Sequence, residues 1–423
     1  MRSALPKHFH PLLGRRMVDW VIASATSAGA ERVVVVCSPE GASRFSGIET
    51  AVQEVPRGTG DAAATAAGVL AGFEGDVLVL SGDVPGLTPA LLEALVATHR
   101  AAGGAATVLS FTPADSRSYG RIVRNEQGLL ARIVEASDAS PDELALSEVN
   151  SGIYLFASVS LWPVLARLEA HNAQGELYLT DTIGLLVAAG ETVAVHHAPD
   201  PFEVEGINTR AELAQVASVL RDRINLAHML AGVTIVDPKT TWIDPGVTIG
   251  GDVTIYPNVI LEGDTRVESG AVIRSNTVAV DALIGSDATV GPFCYLRPGT
   301  VLAEESKAGT FVEIKNSRIG AKSKVPHLSY IGDTDVGTGT NVGAGAITAN
   351  LGHRPGVPKA RTTIGDDVKV GIQNGFVAPV EVGDHAWTAA GSTITEDVPA
   401  EALAVARARQ ENKEGYASRR REP

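Results

Sequence analysis

From residue 232 onward the chain keeps one aliphatic residue in every six positions. Ile243, Ile249, Ile255, Leu261, Val267 and Ile273 set the phase. It resumes at Ile284, Val290, Leu296 and Leu302, then at Ile319, Val325 and Ile331, and again at Ile364, Val370, Phe376, Val382, Thr388 and Ile394. A helix repeats at three or four positions and an alternating strand at two. A period of six with Gly after the apolar residue predicts a hexapeptide-repeat β-helix. One aliphatic side chain per hexad points into a thin prism, and Gly, Asp and Asn make the turns. An ordinary β-sandwich would not hold one phase through six consecutive repeats. The phase breaks near 274–283, 303–313 and 349–361 predict loops that leave the prism. Spacing does not give the handedness of the coil.

The first half has another rhythm. Residues 1–210 alternate short apolar runs, "RVVVVCS" at 32–38 and "DVLVLSGD" at 76–83, with helical stretches such as "TPALLEALVATHRAAG" at 88–103. Runs of this kind suit strands buried on both faces, which predicts a parallel sheet covered by helices. Residues 210–231 have helical spacing and are expected to link the halves. The opening stretch has a helical rhythm at Met17, Val18, Val21 and Ile22, with neither the apolar core nor the cleavage site of a signal peptide. The expected organisation is 1–210, a linker at 211–232, the prism at 233–395 and a tail at 396–423.

Composition narrows the class. A chain of 423 residues accommodates two or three domains. Its 44 glycines and 5% aromatic content suit tight turns around small aliphatic cores. A formal charge of −14 argues against nucleic acid as the main partner, and the basic cluster at Arg419–Arg421 reads as a solvated tail. Two cysteines, Cys37 and Cys294, cannot make a disulfide framework and read as inert thiols in a reducing compartment. No run approaches the ~18 apolar residues of a membrane span, so a soluble cytoplasmic protein is expected.

Thirteen short motifs then fall in a recognisable order. They are "LPK" (5–7), "GTGDA" (58–62), "LSGDVP" (80–85), "YGRI" (119–122), "IVE" (133–135), "EVNSGIY" (148–154), "GELYLTD" (175–181) and "VEGIN" (204–208), followed by "GPFCYLRPGT" (291–300), "FVEIK" (311–315), "HLSYIGD" (327–333), "TNVGAGAIT" (340–348) and "FVAPVEVG" (376–383). Over nearly its whole length the chain resembles the bifunctional N-acetylglucosamine-1-phosphate uridyltransferases/glucosamine-1-phosphate acetyltransferases of UDP-N-acetylglucosamine synthesis. The resemblance implies an α/β, Rossmann-like nucleotidyltransferase domain and a left-handed parallel β-helix that forms a homotrimer. The implied small-molecule substrates are UTP, glucosamine-1-phosphate and N-acetylglucosamine-1-phosphate, with acetyl-CoA as co-substrate and Mg²⁺ as cofactor.

Nucleotidyl transfer joins two polyanions, so charge neutralisation and positioning supply most of the catalysis. The resemblance assigns Asp83 and Asn208 to Mg²⁺, a hard cation that takes few protein oxygens when substrate phosphates supply the rest. It places Lys7 at phosphate, Gln53, Gly58 and Thr59 at the uracil, Ser81 and Gly82 beside the nucleotide, and Gly120, Glu135 and Asn150 at the sugar. Singly these residues have plain readings: an Asp after a strand is often a helix cap, and Gly-Thr-Gly alone is a turn. Their joint order carries the functional reading.

In this family the motif around Leu5–Lys7 follows a strand and a glycine-rich loop, and Met1 matches the final Met of that loop. Two readings stay open: a start codon assigned too late, or a damaged paralogue. The first expects in-frame sequence upstream encoding the strand and loop. Either expects weak UTP binding by the 423-residue chain, because Lys7 alone cannot replace several backbone amides at the triphosphate.

Acetyl transfer to an amine needs a base, and imidazole suits that near neutral pH. The resemblance makes His327 this base, although a histidine at a prism turn is by itself unremarkable. It places Arg297, Lys315, Tyr330, Asn341 and Lys359 at the acceptor sugar phosphate, and Ala344, Asn350, Leu351, Ile372, Ala390 and Arg407 at acetyl-CoA. Departures cluster on the cofactor side. The family's Asn-Tyr-Asp-Gly reads "NLGH" at 350–353, the following loop is longer, and "GIQN" at 371–374 puts Ile372 where a hydroxyl is usual. Pro326 precedes His327 where Gly is usual and stiffens the chain. Besides the bifunctional enzyme, two alternatives are a relative retaining one half-reaction and a non-catalytic trimeric scaffold or sugar-nucleotide sensor.

Overall fold

The computed structural model describes residues 1–116, 119–351 and 358–421. The chain divides into two units, Met1–Val216 and Ala217–Pro423.

In the first unit, the helix Pro89–Ala102 shows how local sequence sets an element. Thr88 Oγ1 accepts from Leu91 N at 3.2 Å, Pro89 fills the first turn and Gly103 ends the helix at φ 58°. Leu91, Leu92 and Leu95 pack on Leu109, Phe111, Ile153 and Leu155. The sheet beneath runs in the order Val193–His197, Ala106–Phe111, Val149–Ala157, Arg121–Arg124, Leu130–Val134, with Asp76–Val79 also on Val149–Ala157.

This sheet is mixed, which corrects the expectation of a parallel one. Val193–His197 lies parallel to Ala106–Phe111, but Val149–Ala157 runs antiparallel to both Ala106–Phe111 and Asp76–Val79. A strand enclosed on both faces is apolar in either direction, so composition does not reveal its orientation. Val34–Cys37 pairs in parallel with Glu49–Val52 as a separate ribbon. The fully buried strand is Ala106–Phe111, whereas Val34–Cys37 and Asp76–Val79 are mostly half-buried. Among the described residues Asp76–Val79 is paired along one edge only.

The second unit is a parallel β-helix. Ile243 pairs with Leu261, Ile249 with Val267 and Ile255 with Ile273, so every third hexad stacks. The aliphatic column forms a single core from Val233 to Val398, buried nearly throughout, with Ile249 half-buried against it. Two of the expected loops do not exist. The column passes through Ala279 between Ile273 and Ile284, and through Ala308 and Ile314 between Leu302 and Ile319, all of them fully buried. Alanine fills the same inward position with less volume, and two hexads are one residue short, which shifts the phase without opening the coil.

At the third break the coil does lengthen. Val336 pairs with Ile364, while Ile364 pairs with Val382 at the usual interval. Gly352 and His353 of the "NLGH" motif fall outside the described residues. Pairing also continues past residue 395, since Leu403–Ala404 lies on Trp387–Thr388.

The helix Arg210–Leu230 is more than a linker. In the second unit its Ile224 and Met229 pack against the prism core. Its fully buried Asn225 donates through Nδ2 to the carbonyls of Pro238 (2.8 Å) and Thr241 (2.9 Å), satisfying backbone groups where the first coil begins.

With a core one side chain wide, a column residue has little room to be replaced. Ile314→Ala should lower stability by about 2–5 kcal/mol, read as a drop in the denaturant midpoint of the β-helix transition. An unchanged midpoint would show that the column is not the source of cohesion.

Candidate functional site

The first unit gathers one group of the expected residues at the end of Asp76–Val79. Lys7 Nζ lies 2.5 Å from Asp83 Oδ2 and donates to Asn208 Oδ1 at 2.6 Å. The backbone pins both oxygen donors: Ile207 N donates to Asp83 O at 3.0 Å, and Asn208 N to Glu212 Oε2 at 2.6 Å. Gly82 packs against Val18 and the base of His8. Burial, followed by the Arg16 and Lys7 charges, holds the His8 imidazole below its usual range, against the pull of Asp83.

Two hard oxygens thus converge on one cation, here the Lys7 ammonium. Among the described residues no group of three His, Cys, Asp or Glu side chains could hold a metal by itself. The donor set fits an ion that takes its remaining oxygens from substrate.

Gln53, Gly58 and Thr59 form a second group. Gln53 Nε2 donates to Asp61 Oδ2 at 2.7 Å, and this bond, with Arg57 on the other oxygen, keeps the Asp61 carboxyl below its usual range despite burial. Gly58 has φ 114°, and a Cβ there would sit 2.5 Å from Leu177 O. Gly60 N donates to Leu177 O (2.8 Å), Leu177 N to Arg57 O (2.8 Å) and Leu179 N to Thr59 Oγ1 (3.0 Å). "GTGDA" and "GELYLTD" are therefore sewn together, and only glycine admits the approach.

The sugar group also converges. Asn150 N donates to Gly120 O at 2.8 Å, and a Cβ on Gly120 would lie 3.3 Å from Glu135 Oε2. Asn150 Nδ2 donates to Tyr154 Oη at 2.6 Å, and Ser81 Oγ lies beside Gly152. Burial raises the Glu135 carboxyl above its usual range, opposed by a 3.1 Å bond donated by Thr180 Oγ1. Asp61 and Thr180 were not singled out from the sequence, although both stand inside motifs that were.

In the second unit the edge that follows His327 organises the chemistry. Phe293, Phe311, Leu328, Gly345, Gln373 and Gly391 all have positive φ and turn successive coils there. Gly345 N donates to His327 O (3.4 Å), Gln373 N to Ala344 O (2.7 Å) and Gly391 N to Ile372 O (2.9 Å). His327, Ala344, Ile372 and Ala390 therefore stack at one edge, with the Arg407 side chain beside Gly391. Ile372 is 54% exposed.

On the next face Arg297, Lys315, Tyr330 and Lys359 come together with Asn350. Arg297 Nη1 donates to Glu313 Oε1 at 2.9 Å, and Lys315 Nζ lies 3.7 Å from Asp333 Oδ2. Buried Asp333 also accepts from Asn316 Nδ2 (2.5 Å) and from Asn350 Nδ2. The adjacent Lys315 ammonium pushes Lys359 below the usual lysine range. A Cβ on Gly332 would overlap both Tyr330 Oη and Asn350 Nδ2. Asn350, expected on the cofactor side, is thus tied to the cationic group. Leu351 is exposed. Asn341 pairs with Lys324, a face away from Tyr330, which pairs with Ile347. Asp333, missed as a site residue, closes the "HLSYIGD" motif and is the shared acceptor of the group.

An α/β unit with Lys7, Asp83 and Asn208 gathered at a strand end, followed by a β-helix with His327 on its edge, is the architecture of a two-domain transferase. Residues 1–182 match the MobA-like NTP transferase domain. Three relatives are each named bifunctional protein GlmU. That of Streptomyces coelicolor is 46% identical, covering 100% of this chain and 92% of the relative. That of Trichlorobacter lovleyi is 43% identical, covering 100% and 96%, and that of Leifsonia xyli is 46% identical, covering 100% and 91%. The chain belongs to the GlmU family of bifunctional uridyltransferase–acetyltransferases.

The raised Glu135 carboxyl makes a stability prediction. Ionised Glu135 is disfavoured in the folded state, so its contribution is most favourable below the ordinary carboxylate range and is lost as pH rises. Glu135→Gln should therefore raise the thermal midpoint at about pH 7 and lose that advantage at about pH 4. An equal gain at both values would assign the effect to packing.

Proposed function

We propose that the chain acetylates glucosamine-1-phosphate with acetyl-CoA and then joins the product to UTP, releasing diphosphate. In the first reaction the amine attacks the thioester carbonyl, the C–N bond forms as the C–S bond breaks, and the amine proton passes to His327. The donor leaves as a thiolate and takes up the proton that His327 has received. Arg297, Lys315 and Lys359 hold the sugar phosphate, with Asp333 keeping two ammonium groups compatible at close range. Tyr330 and Asn341 position the sugar. Acetyl-CoA lies along Ala344, Ile372, Ala390 and Arg407, with Asn350 and Leu351 at its border with the acceptor.

In the second reaction a phosphate oxygen of N-acetylglucosamine-1-phosphate attacks the α-phosphorus of UTP. Magnesium on Asp83 and Asn208 would neutralise phosphate charge when bound. Lys7 then faces phosphate, while Gln53, Gly58 and Thr59 hold the base with Ser81 and Gly82 nearby. Glu135, Gly120 and Asn150 hold the sugar.

The observation that carries the acetyl-transfer reading is the stacking of His327 on Ala344, Ile372 and Ala390. At saturating acetyl-CoA, His327→Ala should lower kcat by ~10²–10⁴. Ile372→Ser should instead lower the acetyl-CoA KM with little change in kcat. Undiminished turnover with Ala at 327 would refute the base assignment.

A homotrimer is part of the proposal. Phe293, Phe311 and Leu328 are 50%, 58% and 63% exposed on the His327 edge, and Phe293 stacks on Phe311 at 5.3 Å. With Tyr295 and Ile347 they line an open groove of about 560 Å³. Apolar patches of this kind mark association surfaces, and a second prism would also bring residues on different faces, such as Asn341 and Tyr330, to one acceptor. Phe311→Asp should convert the trimer to monomers in light scattering and abolish acetyl transfer while sparing uridylyl transfer. An undisturbed mass would place the interface elsewhere.

A further inference from the structure

On the face leading into the His327 edge, the coils carry a second row of outward residues. Lys307 pairs with Lys324, Lys324 with Asn341, Asn341 with Lys369, Lys369 with Trp387 and Trp387 with Leu403. Neighbouring positions in this row are one strand spacing, about 4.8 Å, apart. Among the described residues neither Lys324 nor Lys369 makes an ion pair, and both are exposed. Trp387 is 59% exposed, so much of its side chain is accessible to solvent.

The row runs beside the stacked edge residues. Asn341 precedes Ala344 by three positions, Lys369 precedes Ile372 and Trp387 precedes Ala390, so each coil offers one member to each row. Between the rows lie Gly343, Gly371 and Ala389, which leave a shallow floor. From His327 to Ala390 is three coil steps, about 14 Å, a span that an extended pantetheine arm covers.

A large exposed aromatic ring next to an unpaired ammonium is the pairing that holds a nucleotide: the base stacks on the ring and a phosphate meets the cation. We infer that Trp387 and Lys369 seat the nucleotide end of the acyl-CoA donor, with the adenine on the indole and a phosphate on the Lys369 ammonium. This rests on the acetyl-transfer reading, and it adds a nucleotide anchor away from the reacting atoms. Such an anchor fits an edge where the exposed Ile372 offers the arm no hydrogen bond, since binding then rests more on the nucleotide.

The full chain is tested by calorimetry with two probes, coenzyme A and pantetheine, which share the thiol arm and differ in the nucleotide. Trp387→Ala and Lys369→Gln should each weaken coenzyme A binding by roughly tenfold or more and leave pantetheine binding unchanged, with Trp387→Phe restoring most of the loss. Coenzyme A, and not pantetheine, should also quench tryptophan fluorescence in a Trp387-dependent manner. Wild-type affinity in Trp387→Ala, equal loss of both probes, or a change in oligomeric mass would overturn the assignment, the last by making Trp387 an interface residue. If the wild-type chain binds neither probe, the acetyl-transfer reading falls and this inference with it.

Discussion

A core one side chain thick is the constraint on which the β-helix depends. Each coil presents its inward residue to the same position in the next, so the backbone ladder and the aliphatic column must stay in step. Stacking Ile243 on Leu261 or Ile364 on Val382 also fixes every outward residue between them. His327, Ala344, Ile372 and Ala390 are far apart in sequence and share an edge because the column allows no other register. Local departures are confined accordingly. Ala279 and Ala308 take up less volume without opening the coil, and the longer sequence interval between the paired Val336 and Ile364 leaves the pairing beyond it intact.

The first unit reaches precision by cross-stitching. Gly58 and Gly60 let "GTGDA" lie against Leu177–Leu179, and backbone bonds run in both directions between the two segments. The cation site is built the same way, from Lys7, Asp83 and Asn208 at three distant points in the sequence. The Lys7 ammonium at that point compensates the Asp83 carboxylate.

Much of this was legible beforehand, for reasons that differ by element. The hexad period needs only counting, because nothing else holds Ile, Leu and Val at six. It was misread where Ala279, Ala308 and Ile314 carry the phase, since alanine has no strong inward signature and a one-residue deletion looks like a break. The helix at Pro89–Ala102 was legible from Thr88, Pro89 and Gly103. The antiparallel course of Val149–Ala157 was not, because apolar runs carry no direction. Motif order nominates the groups expected to touch ligand. Asp61, Thr180 and Asp333 instead hold other side chains, and only contacts reveal that role. Trp387 escaped notice because Thr388 carries the phase beside it.

The helix that closes the first coil has a further consequence. A parallel prism ends in a row of backbone donors and acceptors able to accept another coil from any passing chain. Asn225 occupies the carbonyls of Pro238 and Thr241, and Ile224 and Met229 cover the aliphatic column where it would otherwise emerge. That end is thereby withdrawn from fibril-like growth, so the protein can use a strand architecture suited to endless polymerisation and remain a particle of finite length.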